Sequence, residues 1–228
     1  DAGYIRNIEN VINGKGELIW EVPWVKGLKV RAASNYRYYG ETQKSWRKDA
    51  GQYDWDSESP VYANKPVLNH SSSTGYSFTN QAFVEYANQF GKHNVSALGG
   101  FEQYYQKTEN YWLQRDNYAF FIDQIGVGDA NTQTNGGEEA EMGRAAWIGQ
   151  VKYNYDNKYY AEGSIRYDGS DMFAPGNRWG LFFSGSLGWV VTAEEFMQDL
   201  VERNILNSLK LRASYGETGI DGSTTKEI

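Results

Sequence analysis

The chain contains no cysteine and only two histidines. Disulfides and thiolate chemistry are therefore excluded, and no His/Cys cluster offers a transition-metal site. Long apolar runs are also missing. Mean hydropathy is -0.69, and no window reaches the roughly 20 apolar residues that a membrane helix needs. That excludes a helical membrane protein but not a membrane barrel, whose apolar surface occupies every second residue and averages away. Basic charge is scarce: 22 Lys and Arg stand against 29 Asp and Glu, for a formal charge of -7 and a pI near 5.0. Nucleic acid is thereby disfavoured as a partner, because phosphate contacts need clustered cations. The first residues, DAGYIRNIEN, lack the basic-then-apolar order of a secretory leader, and the last, GSTTKEI, are polar and close no strand. Both ends are expected to be cuts in a longer protein.

What the chain does have is aromatic, glycine-punctuated alternation. Its 228 residues suffice for one large β domain or two small ones, and 16% of them are aromatic. Trp147, Gly149, Val151, Tyr153 and Tyr155 fall on one face of a strand, with Ile148, Gln150, Lys152 and Asn154 on the other. After an Asp156-Asn157-Lys158 turn, Tyr159, Ala161, Gly163, Ile165 and Tyr167 oppose Tyr160, Glu162, Ser164, Arg166 and Asp168. The same two-faced pattern predicts strands over 17–22, from Leu28 to about Tyr38, over 75–91 and from Val95 to Tyr105. Two more are expected over 179–191 and 208–216. Asn13-Gly14 is a turn signal. Thr192 with Glu195 spells a capping box, which predicts a short helix over 193–203.

The connections are unequal. They are short at 23–27, 91–94 and 156–158, long at 40–74 and 108–143, intermediate at 168–178, and helical at 192–206. In an up-and-down meander alternate connections share an end, so tight turns gather on one side and long loops on the other, as in outer-membrane barrels. Lys29, Arg31 and Arg37 share a face that would suit a water-filled lumen better than a soluble core. The apolar face would then meet lipid, with Trp20, Tyr36, Tyr38, Trp147, Tyr155, Tyr159, Trp179 and Trp189 as interfacial girdles.

Several runs carry a family resemblance. SIRYDGSDMF (164–173), NRWGLFFSGSLGW (177–189), the helix around Glu194–Met197 and NSLKLRASYGETG (207–219) resemble the barrel of the SusC/RagA-type TonB-dependent transporters of Bacteroidetes, and PWVKGLKVRA (23–32) is similar to a strand entry of that family. Phe183 stands where the family usually has Pro, and Val190 where it often has Arg. The resemblance implies an all-β fold: an antiparallel meander of about eight strands from a larger transmembrane barrel, with one short periplasmic helix. Residues 1–228 would be part of the barrel domain, with the plug, the TonB-contacting segment and the closing strands absent. It further implies an outer-membrane protein that imports a glycan or peptide, energised by TonB and working with a SusD-like surface lipoprotein, with no enzymatic activity and no cofactor.

Face parity gives the candidate lumen residues: Lys29, Arg31, Arg37, Glu85, Glu162, Arg166, Lys210 and Arg212. Trp46, Trp55, Tyr111 and Trp112, in the expected long loops, could stack on the apolar faces of sugar rings, but packing loop against loop or capping the barrel rim is the stronger expectation. The remaining polar residues are expected to be structural or solvated. His70 and His93 are expected as solvated loop residues. Asp129, Asn131 and Gln133 alternate but lack the terminal bidentate Glu of a calcium loop. Glu85, Glu102 and Glu162 have nothing to fix the separation that a glycosidase pair requires. The rival architecture is a soluble, aromatic-rich β-sandwich that binds carbohydrate; its apolar faces would converge on a dry core.

Overall fold

The computed structural model describes residues 3–48, 52–53, 55–56, 60–62 and 65–219. Among the described residues ten strands run in chain order: β1 (Gly3–Glu21), β2 (Leu28–Arg47), β3 (Gln52–Tyr53), β4 (Pro60–Tyr62), β5 (Val67–Phe90), β6 (His93–Asp116), β7 (Thr134–Tyr155), β8 (Tyr159–Ser170), β9 (Trp179–Val190) and β10 (Lys210–Gly216). Eight of them form one sheet in the order β1-β2-β5-β6-β7-β8-β9-β10, while β3 and β4 pair as a separate ribbon. The sheet is the antiparallel meander that the alternation predicts. Its edges are β1 and β10, so the barrel is not closed.

Local backbone chemistry sets the tight connections. Asp156 and Asn157 both adopt positive φ, at 51° and 55°, as a type I′ turn requires. The Lys158 amide closes that turn on the Tyr155 carbonyl at 2.9 Å. Gly27 has φ of 86° and lies so close to the Ala87 carbonyl that a Cβ would sit 1.9 Å from it, and the Ala87 amide donates to the Gly27 carbonyl at 2.9 Å. Only glycine fits there.

The chain divides into two compact units. The first comprises residues 1–14, 36–77 and 106–141. Its small core is Trp46, Leu68 and Tyr118, with Tyr4 and Ile125 packed around them. Trp46 meets Tyr118 edge to face at 4.8 Å. The connection 117–133 is stapled to a strand end: Arg115 donates to the Gly128 carbonyl at 3.3 Å and to Gln133 Oε1 at 2.7 Å. The second unit comprises residues 15–35, 78–105 and 142–228. In it Trp147 faces Tyr167, Gly149 faces Ile165 and Val151 faces Gly163 across β7 and β8. Ile165 then faces Phe183 across β8 and β9, and Leu187 faces Ala213 across β9 and β10.

Several expectations are corrected. Asn13-Gly14 makes no turn; β1 runs straight through it, and Gly14 is not among the residues with positive φ. The long segments 40–74 and 108–143 are mostly strand, because β2 extends to Arg47, β5 starts at Val67, β6 runs to Asp116 and β7 starts at Thr134. Ladder bonding to neighbouring strands holds these polar stretches extended without any hydrophobic alternation. Tyr111 and Trp112 consequently belong to β6 rather than to a loop, and His70 and His93 belong to β5 and β6. The capping box does not form. Thr192 is buried and its Oγ1 accepts the Leu209 amide at 3.2 Å. The segment starts as 3-10 turns at Val191–Ala193 and Glu195–Met197, with true helix, α1, confined to Gln198–Glu202.

Candidate functional site: a two-faced wall and its polar cavity

In the second unit the two faces of the sheet differ in kind. One face carries Trp147, Val151, Ile165, Leu181, Phe183, Leu187, Leu211 and Tyr215, all exposed, with Leu187 at 65% and Leu211 at 53%. Aromatic pairs stand at both ends of this face. Toward the tight turns Tyr155 stacks on Tyr159 at 6.4 Å and meets the His93 ring at 4.9 Å, and the His93 Nδ1 lies 2.7 Å from the Tyr153 hydroxyl. Toward the 171–178 loop Tyr167 stacks on Trp179 at 4.9 Å, and the Trp179 ring covers Gly169, where a Cβ would lie 2.8 Å from it.

The opposite face is a ladder of paired charges. Lys29 pairs with Glu21 at 2.8 Å, and Arg31 reaches Glu17 at 3.5 Å. Arg31 Nε lies 3.3 Å from Glu85 Oε1, close enough for an ion pair although off the line of a hydrogen bond, and its guanidinium sits over the Phe83 ring. Gln81 donates to Glu102 at 2.5 Å, and Glu102 pairs with Arg166 at 3.6 Å. Arg166 also pairs with Asp168 at 2.6 Å. Glu162 accepts from Gln150 at 2.7 Å and lies 3.6 Å from Lys152. Lys210 lies over the Tyr160 ring at 3.8 Å. Arg212 sits in register with Gly188, the neighbour of Tyr160 on this face.

Six of the eight charged candidates, Lys29, Arg31, Glu85, Glu162, Arg166 and Lys210, thus have charged or aromatic partners of the second unit. Arg212 joins the same face by register, and Arg37 lies exposed in the first unit. Among the aromatic candidates, Trp46 lies in β2 rather than in a loop, is 3% exposed and serves the small core, whereas Trp55 is 95% exposed. Tyr111 and Trp112 are exposed on β6, and together with Ser71–Ser73, Glu41, Gln43 and Asn110 they line a cleft of about 210 Å³.

A larger cavity, about 640 Å³, opens on the polar face of β6–β9 beneath the 171–178 loop. Glu102, Arg166, Asp168, Tyr104, Phe182 and Arg178 contribute to its lining. Parity identifies the strand residues of this lining. Arg178, in a loop where no alternation marks a face, escapes it, and no sequence signal would have found it.

Two connections hold carboxylates well below their ordinary range. The Tyr4 hydroxyl and then the Lys44 ammonium act on Asp123, with Lys44 at 2.9 Å. The Asn131 amide acts on Asp129, whose carboxylate closes its own loop at 2.9 Å. Asp129 is thereby used as a turn residue. Among the described residues no group of three or more His, Cys, Asp or Glu side chains is arranged to hold a metal.

An exposed apolar face, a charged face behind it and aromatic pairs at both ends, all in antiparallel register, define a wall segment of an up-and-down β-barrel. No protein-family model matches the chain. Among curated proteins it is 34% identical to TonB-dependent receptor P39 of Formosa agariphila over 155 residues, 64% of this chain and 14% of that one. It is 33% identical to receptor P3 of the same organism, over 60% of this chain and 14% of that protein. TonB-dependent receptor SusC of Bacteroides thetaiotaomicron is 25% identical across 86% of this chain and 17% of its own length. Among solved structures, that of the RagAB peptide transporter superposes with a TM-score of 0.81 at 20% identity, covering 94% of this chain and 23% of that one; it speaks for the fold alone. The chain is thus similar in sequence to a stretch of the TonB-dependent receptors, SusC among them, and in fold to a stretch of their barrel wall. It spans 14% to 17% of the length of these curated relatives.

Proposed function

We propose that the chain is part of the wall of an outer-membrane transporter that imports a nutrient such as an oligosaccharide or peptide, drawing energy through TonB and working with a SusD-like surface lipoprotein. Its role is to line a path, with no bond chemistry of its own. The exposed apolar face meets lipid and the charged ladder faces the aqueous interior.

The observation that carries this reading is that strand register puts Val151, Ile165, Phe183, Leu187 and Leu211 on one exposed side of a sheet whose other side is ion-paired. Contiguous apolar surface beyond a few hundred Å² is disfavoured in water and marks an interface or a membrane. Eight residues separate Tyr159 from Tyr167 on β8. That is about 26 Å along a strand, or about 20 Å of height at a tilt of ~40°, close to the ~25 Å apolar band of outer-membrane barrels. A soluble sandwich would turn this face onto a second large sheet, and no observation favours that.

The test is uptake by cells carrying the full-length parent, using labelled oligosaccharides and peptides, with and without TonB. Uptake that needs both parent and TonB supports the reading. Uptake that survives deletion of the parent, or a parent that stays in aqueous buffer without detergent, overturns it.

A further inference from the structure

We infer that the polar-face cavity beneath the 171–178 loop is a subsite for a carboxylate carried by the solute, with Arg178 as the recognising group. This rests on the reading of the charged face as the lining of the path.

The loop that presents Arg178 is tied down at both ends. The Ser170 amide donates to the Arg178 carbonyl at 3.0 Å, and the Asp171 amide to the Gly143 carbonyl at 3.1 Å. The Gly143 amide returns a bond to Asp171 Oδ2 at 2.7 Å. Within the loop the Asn177 amide closes a turn on the Ala174 carbonyl at 3.0 Å. Arg178 Nε donates to the Phe173 carbonyl at 3.2 Å, which lays the side chain along the loop. Its two terminal nitrogens have no partner among the described residues. Most of the ordering cost of binding is therefore already met by the fold.

Arg178 is the group that favours an anion. Among the described residues the lining holds Glu102 and Asp168 as its acids, and both are engaged by Arg166, at 3.6 Å and 2.6 Å; Arg144 has a partner of its own, and no described carboxylate pairs with Arg178. A guanidinium with two free terminal nitrogens matches a carboxylate, which it can grip through parallel bonds. Tyr104, Phe173 and Phe182 supply aromatic surface in the same lining, suited to the apolar face of a sugar ring or an aliphatic side chain. At about 640 Å³ the cavity falls within the ~300–1,000 Å³ of small-ligand sites. The ligand class is a small solute with a carboxylate beside an apolar face, either a uronate-bearing oligosaccharide or an acidic peptide.

The experiment is titration calorimetry on the detergent-solubilised parent with two matched pairs: trigalacturonate against its methyl ester, and an Asp-containing tetrapeptide against its Asn counterpart. In one pair the acid form is expected to bind about tenfold or more tightly, the range of a charge-assisted hydrogen bond. That pair identifies the source of the carboxylate. Arg178→Gln should abolish the preference, Arg178→Lys should retain part of it, and Arg203→Gln, outside the cavity, should leave it intact. Equal binding of acid and neutral forms in both pairs, no binding of either acid, or a preference that survives Arg178→Gln overturns the subsite. A parent that imports solutes while ignoring the acid group loses only the subsite; a parent that imports nothing loses the transport reading as well.

Discussion

The indole Nε1 of Trp189 donates to Oε1 of Glu194 at 3.1 Å. The same carboxylate accepts the Tyr159 hydroxyl at 2.5 Å and pairs with Lys158 at 3.3 Å. One acid therefore ties together the β7–β8 turn, the end of β9 and the connector to β10. Those donors, Tyr159 first and then Trp189, lower the Glu194 carboxyl below its ordinary 4.5. A carboxyl depressed in the folded state adds stability that is present above the unfolded value and lost as pH falls through the folded one. Hydrogen exchange at the Val191 and Leu209 amides should accelerate as pH falls below the ordinary carboxylate range, relative to the intrinsic rate. In Glu194→Gln it should already be fast at neutral pH and insensitive to that fall. Equal protection in parent and variant would remove the latch.

Val151 faces Gly163 midway between the aromatic ends of the apolar face and is 54% exposed. Facing lipid at that depth, Val151→Arg should cost ~2–4 kcal/mol of folding into vesicles. Facing water, it should change stability by no more than about 0.5 kcal/mol. Lys152→Gln, one residue along and on the other face, serves as the control and should be mild. Folding equilibria of the parent barrel in lipid separate the two outcomes.

Gly27 combines a left-handed backbone with a Cβ position 1.9 Å from the Ala87 carbonyl. Gly27→Ala must move the backbone as well as strain it, so a loss of at least ~1–3 kcal/mol is expected. Denaturant midpoints measure it. A neutral result would mean that the β1–β2 turn does not approach Ala87.

Tyr118 is 6% exposed, and its hydroxyl has no hydrogen-bond partner among the described residues. Removing an unsatisfied buried group relieves its desolvation cost. Tyr118→Phe should leave stability unchanged or raise it by about 1 kcal/mol, as read by thermal unfolding, and a loss above that size would reveal a partner for the hydroxyl.

The half of the fold that obeys a hydrophobic period was legible. Tyr159 to Tyr167 alternates strictly, and the face each side chain takes across β7 and β9 follows from parity, while the register is added by the pairing itself. The polar strand extensions were illegible because nothing in LNHSSSTG, residues 68–75, distinguishes a loop from a ladder held by its neighbours. Asn13-Gly14 was misleading for the same reason, since a turn propensity of this size yields to strand pairing on a neighbour. Thr192 spelled a cap locally but found a better use for its hydroxyl in Leu209, 17 residues away. At the candidate site, parity identified Lys29, Arg31, Glu85, Glu162 and Arg166 as sharing a face. It could not show which cations are neutralised: Arg166 is paired by Asp168 on its own strand and Glu102 two strands away, whereas Arg178 is held by its own loop.

β7 begins at Thr134, but its pairing with β8 begins only at Arg144, opposite Ser170, and the Asp171 bonds extend the junction to Gly143. Among the described residues, 134–142, about 30 Å of strand, have β6 as their one neighbour in the sheet. With one seam instead of two, this stretch is where unfolding should start.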